Sequence, residues 1–253
     1  MFSAEETERY ARHIVLADVG GPGQQKFAAA RVLVVGAGGL GSPILQYLAA
    51  AGIGTLGIVD DDRVSLSNLQ RQVIHRTEDV GRPKVESASD AILRLNPHVA
   101  VVPFPVRLSP DNVEAIVADF DVVVDGVDNF ETRFVLADAC EALGKPLVTG
   151  GVLSFYGWLT VVAPHLRGAD GTANPRLRDV LRVPEGGRAV TCAEIGILGV
   201  VPGVLGTLAA TEVLKLVAGI GEPLFRRMLN VDLRDASFDV VDYEREDRSG
   251  ETE

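Results

Sequence analysis

A short apolar run leads directly into a glycine-rich segment, and this junction restricts the fold more than any other feature of the chain. Residues 31–35 (RVLVV) are apolar and mostly β-branched, as in a buried strand. Gly36, Gly38 and Gly41 follow with GxGxxG spacing, and the sequence then favours a helix to Ala51. This order predicts a tight turn whose backbone amides can approach a phosphate at a helix N-terminus.

Strands and helices alternate along most of the remaining sequence. Further short apolar runs predict strands at residues 55–60, 99–104, 121–125, 147–149 and 159–163. Helices are expected between them, for example after Pro83 and from Asn129 to about Leu143. This alternation predicts an α/β fold: a Rossmann-like, doubly wound, mainly parallel sheet. Residues 228–232 and 237–242 resemble a hairpin, which would add a C-terminal antiparallel extension.

The remaining segments complete a single predicted domain over residues 1–242. A capping box of Ser3 and Glu6 begins a helix that should run to about Leu16, and residues 20–23 (GGPG) should then break the chain. Residues 164–191 form a long connection rich in Gly, Pro and Arg. Residues 243–253 read as a flexible acidic tail.

The charge balance excludes two classes of partner. The chain has 253 residues and a formal net charge of −11, so it cannot offer a uniformly basic surface to nucleic acid or to an anionic membrane. An uncharged run spans residues 195–211 and is short for a membrane span, so we expect a buried or dimer-contact helix there. The N-terminus lacks a signal-peptide pattern, which favours a cytoplasmic location.

A carboxylate in the right place turns the glycine pattern into a nucleotide-site prediction. Asp60 ends the second strand, 19 residues after Gly41, where it can accept hydrogen bonds from a ribose hydroxyl. Two cations follow. Lys84 should stand in the first turn of a helix, an unfavourable place for a cation unless an anion such as a triphosphate compensates. The alternative for Lys84 and Arg71 is a solvated surface charge.

The segment after the fourth strand supplies a candidate metal ligand. Asp128 lies where the carboxyl ends of parallel strands form a ligand crevice, and its carboxylate could hold Mg²⁺ on phosphate oxygens. The alternative is that Asn129 caps the next helix and Asp128 only favours the helix dipole. The neighbouring carboxylates of Asp61, Asp62 and Asp125 are expected to be solvated.

Seven ordered motifs resemble one family of proteins. They are residues 9–12 (RYAR), the glycine loop, Asp60 with residues 67–72 (SNLQRQ), residues 83–86 (PKVE), Asp128-Asn129, residues 191–194 (TCAE) and residues 202–206 (PGVLG). The sequence resembles, over about residues 9–232, the MoeB and ThiF family of enzymes that adenylylate ubiquitin-like sulfur-carrier proteins, which are related to ubiquitin-activating enzymes.

The resemblance implies an ATP site and a reaction. ATP would bind at the glycine loop, with its ribose on Asp60 and a phosphate-bound Mg²⁺ on Asp128. The resemblance also implies a homodimer in which Arg12 reaches the phosphates of the partner subunit. The carrier's C-terminal glycine carboxylate would attack the α-phosphorus, giving an acyl-adenylate and pyrophosphate. The implied site residues are Arg12, Gly36, Gly38, Gly39, Gly41, Asp60, Asn68, Arg71, Lys84 and Asp128.

The cysteines depart from the pattern of many family members. Those members carry two Cys-x-x-Cys pairs that bind zinc, whereas this chain has only Cys140 and Cys192, so we expect no zinc. Cys192 matches a cysteine that in some relatives bonds covalently to the carrier or its sulfur; the alternative is a small packed thiol. Cys140 lies in a predicted helix and should serve packing.

Alternatives stay open at the level of sequence. A MoeB-type enzyme, acting on a carrier like the molybdopterin synthase small subunit, is favoured over a ThiF-type enzyme that serves thiamine synthesis. An NAD-dependent oxidoreductase is disfavoured by Arg71 and Lys84 and by the lack of a second domain. An inactive nucleotide-binding scaffold is disfavoured because the implied site residues are intact.

Overall fold

One eight-stranded sheet organises the chain. The structure is a computed structural model that describes residues 2–168, 170–181 and 195–245. The strand order is β3-β2-β1-β4-β5-β6-β7-β8; the pairs from β3 to β5 are parallel and those from β5 to β8 are antiparallel. This arrangement confirms the predicted Rossmann-like sheet with its antiparallel extension.

The strands follow one another as predicted, with changes of a few residues at their ends, and a short helix (Leu177–Val180) lies within the predicted 164–191 connection. The strands are β1 (Arg31–Val35), β2 (Thr55–Val59), β3 (Ala100–Phe104), β4 (Val122–Asp125), β5 (Leu147–Leu153), β6 (Tyr156–Val162), β7 (Arg227–Asp232) and β8 (Ser237–Asp242). The described helices are α1 (Ala4–Arg9), α2 (Ala11–Ile14), α3 (Gly20–Ala29), α4 (Gly41–Ala51), α5 (Lys84–Leu95), α6 (Val113–Val117), α7 (Phe130–Ala142), α8 (Leu177–Val180) and α9 (Val200–Ala218).

The central strands are buried on both faces, which explains their continuous apolar sequences. In β1, Val32 and Val34 pack into a core with helices α3, α4, α5 and α9. Leu33 and Val35 point the other way, into a second core with α6, α7 and α8. Because both cores meet at the sheet, the carboxyl ends of β1, β2 and β4 are fixed relative to one another.

The N-terminal region differs from the sequence prediction in two places. The predicted capping box is present, since Ser3 Oγ accepts from the Glu6 amide at 3.1 Å. The helix to Leu16 is wrong, because the helix breaks at Tyr10, whose buried hydroxyl accepts from Asn96 Nδ2 at 2.8 Å. The glycine break is also wrong: residues 20–23 begin α3. Burial of Phe27 and its neighbours outweighs the poor helix propensity of glycine there.

Helix α9 belongs to the core. It is the one described helix long and apolar enough to cross a membrane by length and composition. It packs against α4, β5 and β6, and nine of its residues are buried, Leu205, Ala209 and Val213 among them. The glycines of the uncharged run (residues 195–211) differ in how closely other atoms approach them. A Cβ on Gly199 would lie 2.1 Å from the Gln70 carbonyl oxygen, so backbone meets backbone there.

We expect opposite effects from alanine at two glycines of α9. A Cβ on Gly206 would lie 2.4 Å from Pro43 Cγ and 2.6 Å from the Leu40 carbonyl oxygen, so Gly206→Ala should destabilise the protein by about 1–3 kcal/mol through overpacking. A Cβ on Gly203 would meet nothing within 4 Å, so Gly203→Ala should stabilise by about 0.5–1 kcal/mol. Urea denaturation measures both. Equal effects at the two positions would contradict this packing.

Candidate active site

Close backbone contacts leave no room for a side chain at two positions of the glycine loop, Gly36 and Gly41. Gly36 has φ +99°, and a Cβ on it would lie 2.7 Å from the Gly126 carbonyl oxygen. A Cβ on Gly41 would lie 1.9 Å from the Gly36 carbonyl oxygen. The loop therefore folds back on itself and against the segment that follows β4. Helix α4 begins at Gly41, and the Ser42 amide in its first turn donates to the Gly38 carbonyl at 2.9 Å, so the helix N-terminus adjoins the loop.

Two side chains hold the peptide groups of Ala37 within this loop. The amide of Ala37 donates to Asp60 Oδ2 at 2.8 Å, and its carbonyl oxygen lies 2.9 Å from His75 Nε2. The other carboxylate oxygen of Asp60 accepts from the Asp62 amide at 2.9 Å. Asp60 thus fixes the loop as well as lying at the place predicted for ribose binding.

The hydrogen bonds of His75 define its protonation. A carbonyl oxygen only accepts, so Nε2 carries a proton and donates to Ala37. In the neutral ring Nδ1 then accepts from Ser87 Oγ, which lies 2.8 Å away. Burial lowers the pKa of His75 below its ordinary value of 6.5, and the nearby positive charge of Lys84 lowers it further. The neutral ring therefore ties the glycine loop to helix α5.

Lys84 lies at the start of α5 and is buried, so the solvated-lysine alternative is wrong. Its Nζ lies 2.7 Å from Asp62 Oδ2 and 4.0 Å from Asp60 Oδ2. These carboxylates supply the compensating anion that a cation at a helix N-terminus needs. The Asp62 side chain is 68% exposed, as expected, whereas that of Lys84 is only 7% exposed. One side of this ion pair is therefore open to solvent.

Arg71 lies beside the glycine loop. Its Cδ is 3.6 Å from the position of a Cβ on Gly39, and Pro202 of α9 lies 3.3 Å from the same position. Its Nη1 donates to the Ser67 carbonyl at 3.3 Å. Asn68 closes a single 3₁₀ turn: its Oδ1 accepts from the Ser65 amide at 3.1 Å, and its carbonyl accepts from the Arg71 amide. The segment thus carries Arg71 along the loop.

The loop that carries Asp128 is held by a buried ion pair. Arg133 Nε lies 2.7 Å from Asp125 Oδ2, and Arg133 Nη2 also donates to the carbonyl oxygens of Val127 and Gly150. Asp125 further accepts from Thr149 Oγ1 at 2.6 Å. The expectation that Asp125 is solvated is therefore wrong. This network holds the segment that leads to Asp128.

Asp128 itself is exposed, and no hydrogen bond or ion pair within the described residues occupies its side chain. Asn129 caps α7 as one alternative predicted, since its Oδ1 accepts from the Thr132 amide at 2.9 Å. Gly126, two residues before Asp128, packs on Gly36, so the Asp128 loop and the glycine loop are adjacent.

Two groups of carboxylate oxygens near the glycine loop differ in their fit to Mg²⁺. The Asp128 carboxylate is a free, hard oxygen ligand next to the glycine loop, which suits a cation shared with phosphate oxygens. Ligand oxygens of Asp60, Asp61 and Asp62 lie within 4.8 Å of one another, but Lys84 already neutralises part of that cluster. Asp128 fits the ion better.

The structure brings together most of the residues named from sequence. Gly36, Gly38, Gly39, Gly41, Asp60, Arg71 and Lys84 meet around one loop, with Asn68 behind Arg71 and Asp128 on the adjacent segment. Arg12 does not join them: it is exposed on α2 and forms no ion pair within the described part of the chain. Cys192 lies outside the described residues. Cys140 is buried, and burial raises its pKa to about 12.

Sequence reasoning missed several contributors. Ala37, Gln72, His75, Arg133 and Pro202 all touch the loop or hold its neighbours. Gln72 and Pro202 lie within two of the family motifs, residues 67–72 and 202–206, but the sequence does not indicate which residues they contact. Nothing in the sequence marked His75 or Arg133, because their partners are distant elements of the fold.

Sequence comparison places the chain among known proteins. The profile of the ThiF family matches residues 10–251. The chain is 47% identical to the SAMP-activating enzyme E1 of Haloferax volcanii, over 95% of this chain and 86% of that protein. It is 45% identical to the sulfur carrier protein adenylyltransferase of Thermus thermophilus, over 98% and 91%. It is 44% identical to the probable adenylyltransferase/sulfurtransferase MoeZ of Mycobacterium tuberculosis, over 94% of this chain but 60% of that protein.

Two solved structures share the fold of the chain. The chain matches PaaA with a TM-score of 0.77 and 27% identity, over 97% of this chain and 76% of that one. It matches the ATP complex of Escherichia coli MccB with a TM-score of 0.80 and 21% identity, over 94% and 72%. The second likeness is one of fold.

We predict a pH-dependent loss of stability that passes through His75. Its pKa is lowered in the folded protein, so below about pH 6.5 the unfolded chain binds more protons and the folded state loses free energy. A His75→Gln variant should lose this component when the free energy of unfolding is measured against pH. A His165→Gln variant leaves His75 in place, so it serves as the control and should keep the component that His75 contributes. A His75→Gln curve parallel to that of the wild type would contradict the assignment.

Proposed function

The chain belongs to the ThiF family, and on that premise we propose that it uses ATP to adenylylate the C-terminal glycine carboxylate of a ubiquitin-like sulfur-carrier protein. One observation supports this most: Arg71, Lys84 and the free Asp128 carboxylate surround a glycine loop at a helix N-terminus. Such a set suits the phosphates of a nucleotide. Two of the three relatives above are named adenylyltransferases, which favours this activity over the dehydrogenase alternative.

The reaction needs orientation and charge neutralisation rather than a protein nucleophile. An oxygen of the carrier's terminal carboxylate bonds to the α-phosphorus of ATP, and the bond from that phosphorus to the pyrophosphate oxygen breaks. Negative charge grows on the α-phosphate oxygens and the leaving pyrophosphate. Arg71 and Lys84 would stabilise that charge in a site whose donors are already in place. A Mg²⁺ ion on Asp128, when bound, would neutralise charge on the phosphate oxygens.

Lys84 would reach the nucleotide by exchanging partners. Its ion pair with Asp62 has one exposed side, so a phosphate can approach Nζ without unfolding the loop. Asp60 stays with the lysine and with the Ala37 amide, and it would take the ribose hydroxyls on its remaining lone pairs. In this arrangement the apo protein carries its own substitute for the phosphate charge.

We further propose a homodimer in which Arg12 completes the site of the partner subunit. Arg12 is exposed and free of ion pairs among the described residues, although it lies within a motif that resembles the family. Val15 and Leu16 follow it with exposed apolar side chains, 74% and 53% accessible. Apolar exposure of this kind beside a functional arginine suits a contact with a second copy.

The finer assignments are proposals as well. A carrier of the molybdopterin synthase type is favoured over the thiamine carrier, and the reaction is placed in the cytoplasm. Cys192 is the candidate thiol for a covalent bond to the carrier or its sulfur, with no part in adenylylation. We propose that the protein holds no zinc. Among the described residues the one cluster of potential metal ligands is three aspartates, a poor match to a structural zinc site. Stoichiometric zinc found by elemental analysis would overturn this.

ATP–pyrophosphate exchange tests the function. With a carrier that ends in Gly-Gly, the wild type should exchange labelled pyrophosphate into ATP. Arg71→Ala and Asp128→Ala should reduce exchange by a factor of about 100 or more, since each removes charge stabilisation of the transition state. Lys145→Ala is the matched control and should exchange normally, because Lys145 lies just before the amino end of β5, at the edge of the parallel strands opposite the site.

Circular dichroism must show that both variants are folded. Exchange retained by a folded variant would remove that residue from the site. Absence of exchange by the wild type with every carrier would instead favour a nucleotide-binding scaffold.

Mixed subunits test the proposed role of Arg12. Arg12→Ala and Arg71→Ala homodimers should each be inactive, because each lacks one cation at both sites. A heterodimer of the two variants should have one intact site and recover up to about half of the wild-type activity, as expected when the two residues meet across the interface. Purified heterodimers with no recovery would contradict action in trans.

A further inference from the structure

Gln72 has a buried side chain whose amide group forms no hydrogen bond within the described residues. The residue is only 4% exposed, yet its Oε1 is buried without a hydrogen-bond partner, the one such side-chain atom among the described residues. Its Nε2 has no hydrogen-bond partner within the described chain either. Buried carboxamides are almost always hydrogen-bonded, and an unsatisfied one costs folding free energy. An apolar side chain of similar volume would fill the same space without that cost.

A second buried glutamine shows the usual arrangement. Gln24 is fully buried, donates from Nε2 to the Ala51 carbonyl at 2.8 Å, and has its Oε1 3.0 Å from His13 Nδ1. Both ends of that amide are held by the protein. The fold can therefore satisfy a buried glutamine where the residue serves packing, and Gln72 differs from this pattern.

The position of Gln72 indicates what would bind it. Its Nε2 lies 3.6 Å from the place of a Cβ on Gly38, so the amide lies against the glycine loop. Gly38 directly follows Ala37, whose amide is bonded to Asp60. If Asp60 takes the ribose, the phosphate attached to that ribose lies next to Gly38. An amide N–H there meets an anionic oxygen, a strong hydrogen-bond acceptor.

We propose that Gln72 is a further nucleotide-binding residue, whose Nε2 donates to an oxygen of the α-phosphate, the group at which the carrier carboxylate attacks. This rests on the proposed function. Nε2 has no acceptor among the described residues and is therefore free to donate to the ligand. Oε1 only accepts, so a phosphate oxygen does not satisfy it; its burial is the cost of keeping the Nε2 donor at the loop, an example of stability given up at a functional position.

The test replaces Gln72 with methionine, which keeps the volume and removes the amide. Without nucleotide, Gln72→Met should melt at a higher temperature than the wild type, because the unsatisfied oxygen is gone. Isothermal titration calorimetry should show dissociation constants for AMP and ATP raised about tenfold, the loss of one hydrogen bond to a charged group. The dissociation constant for adenosine, which has no phosphate, should stay unchanged.

Gln24→Met is the matched control. It removes two satisfied hydrogen bonds far from the loop, so it should melt at a lower temperature and bind AMP and ATP like the wild type. Unchanged affinity of Gln72→Met for AMP and ATP would overturn the proposal, as would a melting temperature that falls together with the affinity. If the wild type catalyses exchange but Gln72→Met binds AMP and ATP as tightly as the wild type does, only the role of Gln72 is rejected. Wild-type protein that binds nucleotide without exchange would reject only the enzymatic function.

Discussion

The site depends on contacts between backbone segments that only glycine allows. Gly41 lies against the Gly36 carbonyl, and Gly36 lies against Gly126 at the start of the Asp128 loop. A side chain at either position would push the loop off the sheet. Ala37 would then leave Asp60 and His75, which hold both of its peptide groups. The positions of Asp60, His75 and the Asp128 loop relative to the glycine loop therefore depend on these two backbone contacts.

The sequence predicted those parts of the molecule that depend on residues close together in the chain. The apolar runs gave each strand within a few residues, because strands buried on both faces need apolar residues at every position. The glycine spacing located the loop, and Asp60 and Asn129 were placed by their distance from predicted strand ends. Where a distant contact decided the local structure, prediction was wrong. Tyr10 breaks a helix through its contact with Asn96, and the Gly20–Gly23 segment is helical because α3 packs on the core.

Charged residues were the hardest to place, because burial depends on which elements meet. Asp125 and Arg133 are close in sequence, but their pairing follows from β4 and α7 lying together, with Gly150 of β5 completing the set. For Lys84 the sequence left a solvated helix-end charge open as the alternative, whereas the side chain is covered. A buried charge without its partner is strongly destabilising, so these pairs form together with the fold or not at all.

Under the proposed function, the pairing of these cations accounts for how an acidic protein would select a polyanion. Arg133 is committed to Asp125 and buried, so it acts by holding the Asp128 loop. Lys84 is shared between Asp60 and the exposed Asp62, and a phosphate must displace Asp62 to reach it. Arg71 is bonded only to a carbonyl oxygen among the described residues, so it is the cation most available to a first phosphate contact. Binding would then proceed from Arg71 to Lys84. An isolated anion could satisfy Arg71 alone, whereas a nucleotide anchored at Asp60 brings phosphate close enough to compete for Lys84.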